Sequence, residues 1–260
     1  MGSRVSSTAW ACSRPVRVLV SGASGAVGKE LRRLIEADPE LELAGVADRS
    51  GFFGSGDQGD VLVDFSHPAL TLRCLELAEQ RGLPLVIGTT ALTERCRDRI
   101  EQAATRIPLC VAANFSVGVT VMLELAARAA SALPTTFDIE IAEAHHRRKL
   151  DAPSGTALAL GEAVAQARKQ VLSEQAVMDR SVRREPRSSA EIGFQVSRGG
   201  DVVGEHSVQF FGDGERLEIV HRATDRSIFA RGALLAARKL TERGAGRVEF
   251  RDLLVGEIGS

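Results

Sequence analysis

The chain has 260 residues, with 33 basic against 34 acidic side chains and a formal net charge of −1. That balance gives no global electrostatic case for nucleic acid, and no apolar run approaches the roughly 20 residues of a membrane helix. The length suits one large domain or two modest ones. In chain order, residues 1–15 are rich in Ser and Arg and lack acids. They read as a disordered tail, with a short targeting peptide as the alternative. Residues 16–20 (VRVLV) form a buried strand, followed by a glycine-rich turn and a helix over about 26–37. Strands follow at 41–47, 61–65, 84–87 and 108–112. Helices over 68–81 and about 93–105 separate the last three. Strands alternating with helices imply a parallel sheet covered on both faces. Residues 50–60 leave fewer than the usual dozen for a parallel crossover, so this link is expected to be a bare, mobile loop.

A helix over 117–133 follows, and then the pattern changes. FDIEIA at 137–142 alternates apolar and polar residues, as a half-buried strand does. Ser154 reads as an N-cap, with Leu160, Val164, Ala167 and Val171 at helical spacing after it. The stretch 183–189 is polar and reads as a surface loop. Strands at 192–197, 202–211 and 216–222, joined by GGD and GDG turns, suggest an antiparallel meander. A helix over 226–243 closes the pattern. Cys12, Cys74, Cys96 and Cys110 have no metal-ligand or CxxC spacing and read as buried or bystander thiols in a reducing cytosol.

The chemistry concentrates at 143–156, EAHHRRKLDAPSGT. Two imidazoles and a lysine stand just before a Pro-Ser-Gly-Thr helix start. Proton donors therefore meet an anion-binding helix N-terminus, which suits a small acidic substrate that accepts a proton. Gly155 and Thr156 offer backbone N–H groups, and Thr156 a hydroxyl, to a carboxylate. No metal is expected, because adjacent histidines point apart on an extended chain and no acid or cysteine completes a ligand set. His206 and His221 fall in strand patterns and read as structural or sheet-surface residues.

The cofactor signal is GASGAVG at 22–28, between strand and helix. Its residues Gly22, Ala23, Ser24, Gly25, Ala26 and Val27 suit a tight turn over a pyrophosphate at a helix N-terminus. Asp48 ends the second strand, where an acid hydrogen-bonds an adenosine ribose. Arg49 is placed to pair with a 2′-phosphate. Gly88, Thr89 and Thr90 end the fourth strand; Ala113, Asn114, Phe115 and Ser116 end the fifth. Ligands bind at such carboxyl ends, and Ser116 also suits helix capping.

These segments, with VDFS at 63–66, GEH at 204–206 and FARGA at 229–233, resemble the 4-hydroxy-tetrahydrodipicolinate reductase family from residue 16 to about 254. The resemblance implies a Rossmann-like parallel-sheet domain (16–115 and 227–260), whose last helix packs back on it. It also implies an α+β substrate and oligomerisation domain with a mixed sheet (116–226). His145 matches the family's proton donor, Lys149 a second cationic residue, and His146 a contact to a substrate carboxylate. NADH or NADPH, a small dicarboxylate substrate, a homotetramer and a cytoplasmic location follow as implications. Two departures stand out: Ala26 replaces a basic residue common in the family, and the 50–60 link is shorter. A reductase of another cyclic imine, or a non-catalytic dinucleotide-binding paralogue, are the alternatives.

Overall fold

The computed structural model describes residues 14–48, 51–54, 56 and 58–258. The first half alternates β1 (Val16–Ser21), α1 (Ala26–Glu36), β2 (Leu41–Ala47), β3 (Val61–Asp64), α2 (Pro68–Arg81), β4 (Leu85–Ile87), α3 (Glu94–Ala104) and β5 (Pro108–Val111). Then come α4 (Val117–Ala132), β6 (Asp138–His145), α5 (Gly155–Ala167), α6 (Leu172–Gln175), β7 (Ala176–Val177), β8 (Ile192–Arg198), β9 (Gly204–Gly212) and β10 (Glu215–Ala223). The chain ends with α7 (Ser227–Leu240), β11 (Gly246–Val248) and α8 (Phe250–Ile258).

The first sheet has six strands in the order β11-β5-β4-β3-β1-β2, and every pairing is parallel. Continuous apolar strands such as VRVLV supply side chains to both faces, as a doubly covered sheet requires. One face packs on α1, α7 and α8 through Leu31, Ile35, Ala233, Leu240 and Leu253. The other packs on α2 and α3 through Leu75, Ala78, Ile100 and Ala103. The second sheet is mixed, in the order β10-β9-β6-β8-β7. Its covered face packs Ile139, Ile141, Val208 and Phe210 against α4 and α5.

Several expectations need correction. Strands 192–198 and 204–212 are not neighbours, so there is no three-stranded meander. β6 lies between them, parallel to β8 and antiparallel to β9; only β9 and β10 form a hairpin. β9 is an interior strand, and β10 and β7 form the edges of the sheet. α5 stops at Ala167; Val171 caps the short α6 instead. β11 and α8 extend the first half beyond what periodicity revealed.

The 50–60 link is not a bare loop in its described part. Phe53 is buried between β1, β3 and α2. The Arg73 guanidinium lies 4.0 Å from the Phe52 ring centre. Asp60 accepts from Arg14 and from the Arg17 N–H and guanidinium. Gly59 passes so close to β1 that a Cβ there would lie 2.6 Å from Leu19 Cγ. Two phenylalanines and a glycine thus replace the missing crossover helix. Of the expected tail, residues 1–13 lie outside the described residues, whereas Arg14 is held by Asp60.

Candidate active site

The alternation of β6 puts Ile139, Ile141, Glu143 and His145 on one face. The first two enter the core; the last two reach the end of the sheet, beside the start of α5. His145 is the last residue of β6 rather than part of the following loop. Gly204 stands opposite on β9, where a Cβ would lie 3.0 Å from His145 Nε2. Glycine there leaves room for the imidazole.

Glu143 is 4% exposed and fully bonded. It accepts from His145 Nδ1 at 2.6 Å, from the Ser154 N–H at 2.9 Å, and from both Arg198 terminal nitrogens at 2.7 and 2.8 Å. Burial alone would raise its pKa, but the hydrogen bonds from Arg198, His145 and Ser154 outweigh it and hold the carboxyl below its usual value. An ionised Glu143 makes His145 Nδ1 the protonated nitrogen. Burial lowers the His145 pKa against the pull of Glu143, and the Lys149 and Arg198 charges lower it further.

Ser154 caps α5 by accepting the Ala157 N–H at 3.2 Å, as expected from sequence. Its hydroxyl also lies 3.0 Å from His206 Nε2. His206 sits opposite Glu143 on β9, 5% exposed, with its ring edge-on to His145 at 5.1 Å. Burial depresses its pKa to about 4. His221, opposite His206 on β10, lies 3.4 Å from Ser116 Oγ. The strand pattern gave both as structural or sheet-surface residues; each faces a serine of a helix cap and lines the cleft. The period-2 pattern of β9, which puts His206 on the face of Val208 and Phe210, carried that signal. Lys149 pairs with Asp151 at 2.9 Å.

A cleft of about 430 Å³ runs between the two sheets. Its second-sheet wall holds His145, His146, Lys149, Thr156, His206 and His221. Its first-sheet wall holds Ala26, Val27, Gly88, Thr89, Thr90, Ala113, Asn114 and Phe115. Phe65, Arg226 and Phe229 also line it; the sequence reading gave them no role. Asn114 joins the walls, donating to Thr156 Oγ1 at 3.1 Å. Gly22, Ala23, Ser24, Gly25, Asp48, Ser116 and Gly155 lie outside this lining. Ser116 is buried and accepts the Val119 N–H as the cap of α4. The Thr89 hydroxyl donates to buried Asp64 and accepts the Ser66 N–H, so its side chain braces the strand ends. Arg49 lies outside the described residues.

The turn before α1 fits a dinucleotide. Gly22 has a positive φ of 79°, and a Cβ there would lie 2.1 Å from the Phe65 carbonyl oxygen. At Gly28 a Cβ would lie 2.1 Å from the Gly22 carbonyl oxygen, so helix and turn touch through backbone. No acid occupies the first turn of α1, which leaves its positive end for an anion. Among the described residues no cluster of histidine, cysteine or acid suited to a metal is present.

A parallel sheet with this turn, facing a cleft lined by histidines and a lysine on a second sheet, defines a dinucleotide-dependent oxidoreductase. Residues 16–115 match the family model for the dihydrodipicolinate reductase N-terminus, and residues 118–254 that for its C-terminus. A 4-hydroxy-tetrahydrodipicolinate reductase from Magnetococcus marinus is 44% identical, across 94% of this chain and 95% of its own. One from Xanthomonas campestris is 46% identical, across 93% and 98%. A dihydrodipicolinate reductase from Paenisporosarcina sp. TG-14, solved with dipicolinate bound, superposes with a TM-score of 0.73 at 24% identity, covering 90% of this chain and 97% of its own. The chain belongs to the dihydrodipicolinate reductase family.

Proposed function

We propose that the chain reduces 4-hydroxy-tetrahydrodipicolinate to tetrahydrodipicolinate with NADH or NADPH, in the diaminopimelate route to lysine. The observation that carries this reading is the joining of the two walls: a dinucleotide turn on one side of the cleft, and His145, Lys149 and the start of α5 on the other. Relatives covering nearly the whole chain bear the name of that activity.

In this reading the bound reduced nicotinamide supplies a hydride to the substrate ring. The chain's own residues do the rest. Gly22, Ala23, Ser24, Gly25, Ala26 and Val27 hold the pyrophosphate, and Asp48 takes the adenosine ribose. The segments 88–90 and 113–116 shape the nicotinamide end. His146, the N–H groups of Gly155 and Thr156 and the Thr156 hydroxyl hold a substrate carboxylate at the positive end of α5. His145, from Nε2, returns the proton that the reduced ring needs, and Lys149 stabilises its developing negative charge. Dipicolinate, bound in the Paenisporosarcina enzyme, is itself a ring dicarboxylate and supports this substrate class.

The same reading assigns 16–115 and 227–260 to a cofactor domain and 116–226 to a substrate domain, which close on one another to exclude water. It takes the working form as a homotetramer and the compartment as the cytoplasm. Among the described residues no helix is long and apolar enough to cross a membrane. Cys74, Cys96 and Cys110 are buried free thiols, which suits a reducing compartment. The test is steady-state kinetics with each cofactor. Histidine and lysine variants that keep near-full turnover would remove these roles. Asp48→Ala is expected to weaken NADH more than NADPH, since the ribose hydroxyl is its partner. An equal change in affinity for the two cofactors, relative to the wild type, would remove Asp48 from the site.

A further inference from the structure

We propose that Glu143 and Arg198 act as a positioning pair that fixes His145 with Nε2 toward the cleft and locks it to the substrate-carboxylate end of α5. This inference rests on the functional reading above and adds two residues to it. Glu143 is the junction. One carboxylate oxygen takes His145 Nδ1 and one Arg198 nitrogen; the other takes the Ser154 N–H and the second Arg198 nitrogen. Four donors fill the lone-pair sites of an ionised carboxylate, so the imidazole has one direction in which to place its free nitrogen. Arg198 reaches further, donating to the Asp151 carbonyl at 2.6 Å and the Ser197 carbonyl at 2.7 Å. It therefore ties the loop that carries Lys149 to the same carboxylate. Proton donor, second cation and helix start are held by one pair, buried Glu143 of β6 and half-buried Arg198 of β8.

The pair also balances charge at His145. The groups that face it are Glu143 on its own strand, Lys149 and Asp151 on the following loop, Arg198 on β8, His206 on β9 and His221 on β10. Glu143 is the close anion, and Arg198 partly neutralises it. Removing the acid and removing the arginine therefore act in opposite directions on His145 protonation. A purely structural role would not produce opposite signs.

The experiment is heteronuclear NMR of the histidine side chains across pH, for the wild type, Glu143→Gln and Arg198→Met, beside pH profiles of kcat and KM. In the wild type, neutral His145 is expected as the Nδ1–H tautomer. In Glu143→Gln its titration moves to lower pH by about one unit, and kcat falls by about tenfold or more with little change in KM. In Arg198→Met the titration and the alkaline limb of kcat/KM move to higher pH. Arg198→Lys keeps a cation beside Glu143 and returns both toward wild type; it also serves if the methionine variant does not fold. A wild-type Nε2–H tautomer, or movement of both variants in the same direction, overturns the proposal. The NMR readout needs no turnover. A wild type that binds NADH yet does not reduce the substrate would reject the functional reading and leave this test intact.

Discussion

Burial works against the proton donation proposed for His145. Desolvation lowers its pKa from the ordinary 6.5 despite Glu143, yet only the protonated ring donates. kcat/KM, which reports the free enzyme, is therefore expected to fall as pH rises, with a midpoint below 6.5. His145→Gln should remove that limb and lower kcat by about 10²-fold or more, with KM changed far less, because the proton is needed as the transition state develops. Lys149→Ala should likewise lower kcat far more than it changes KM. A profile unchanged in His145→Gln would take the proton donor elsewhere. His206 gives a stability prediction from the same cause, burial. Its pKa is depressed to about 4, so its neutral form stabilises the fold above the unfolded value near 6.5, and that contribution is lost as pH falls toward 4. The loss is about 3 kcal/mol for a shift of this size. Urea unfolding from pH 7 to 4 measures it, and His206→Asn should flatten the curve; an unflattened curve assigns the acid sensitivity to other groups. The contiguous residues of 143–156 were legible in sequence because one short span carries the whole donor set. The partners of Arg198 and His206 were not, because their contacts with Glu143 and Ser154 span 55 and 52 residues, and a strand's own period gives its inward face but not its neighbour.

The elements most readable in sequence were those with both a period and a stop signal. α2 starts at Pro68, shows helical periodicity and ends before Gly82, whose φ of 62° is left-handed; its expected bounds are the observed ones. β7, β11 and α6, of two, three and four residues, are too short to show a period. β8 was assigned to the wrong neighbour because adjacent strands usually pair, and here β6 intervenes. The link at 50–60 was misjudged from its shortness, since its anchors are aromatic packing and Asp60. Two changes test how the elements present the site. Gly28→Ala puts a methyl 2.1 Å from the Gly22 carbonyl oxygen, so turn and helix must separate. A stability loss of about 1–3 kcal/mol and a raised Kd for NADH are expected, by melting and titration; an unchanged Kd would free the turn from the cofactor. Thr156→Val removes a hydroxyl at the start of α5 that serves ground and transition states alike. KM should therefore rise while kcat holds, and a collapsed kcat with unchanged KM would contradict that assignment.

At the scale of the molecule, the two sheets divide the labour of the proposed reaction. The parallel sheet gathers strand ends around a dinucleotide turn; the mixed sheet offers the donors. The chain passes to the second sheet after Phe115 and returns at Arg226, and both residues line the cleft. The layout of the first half was legible because parallel strands there alternate with helices. The resemblance implied a mixed second sheet, but its strand order was not legible, because the parallel pair β6–β8 is joined through α5, α6, β7 and a loop. On the face of that sheet away from α4 and α5, Ala142, Ser207 and Val220 form one rung, and Val220 is 43% exposed. We expect this face to be covered in a homotetramer; light scattering at working concentration that gives a monomer would reject it. The most direct test of the central claim is oxidation of NADH and NADPH by the purified protein with freshly generated 4-hydroxy-tetrahydrodipicolinate. The account predicts substrate-dependent oxidation that largely disappears in His145→Gln. A folded wild type that binds either cofactor and oxidises neither when this substrate is added would contradict it.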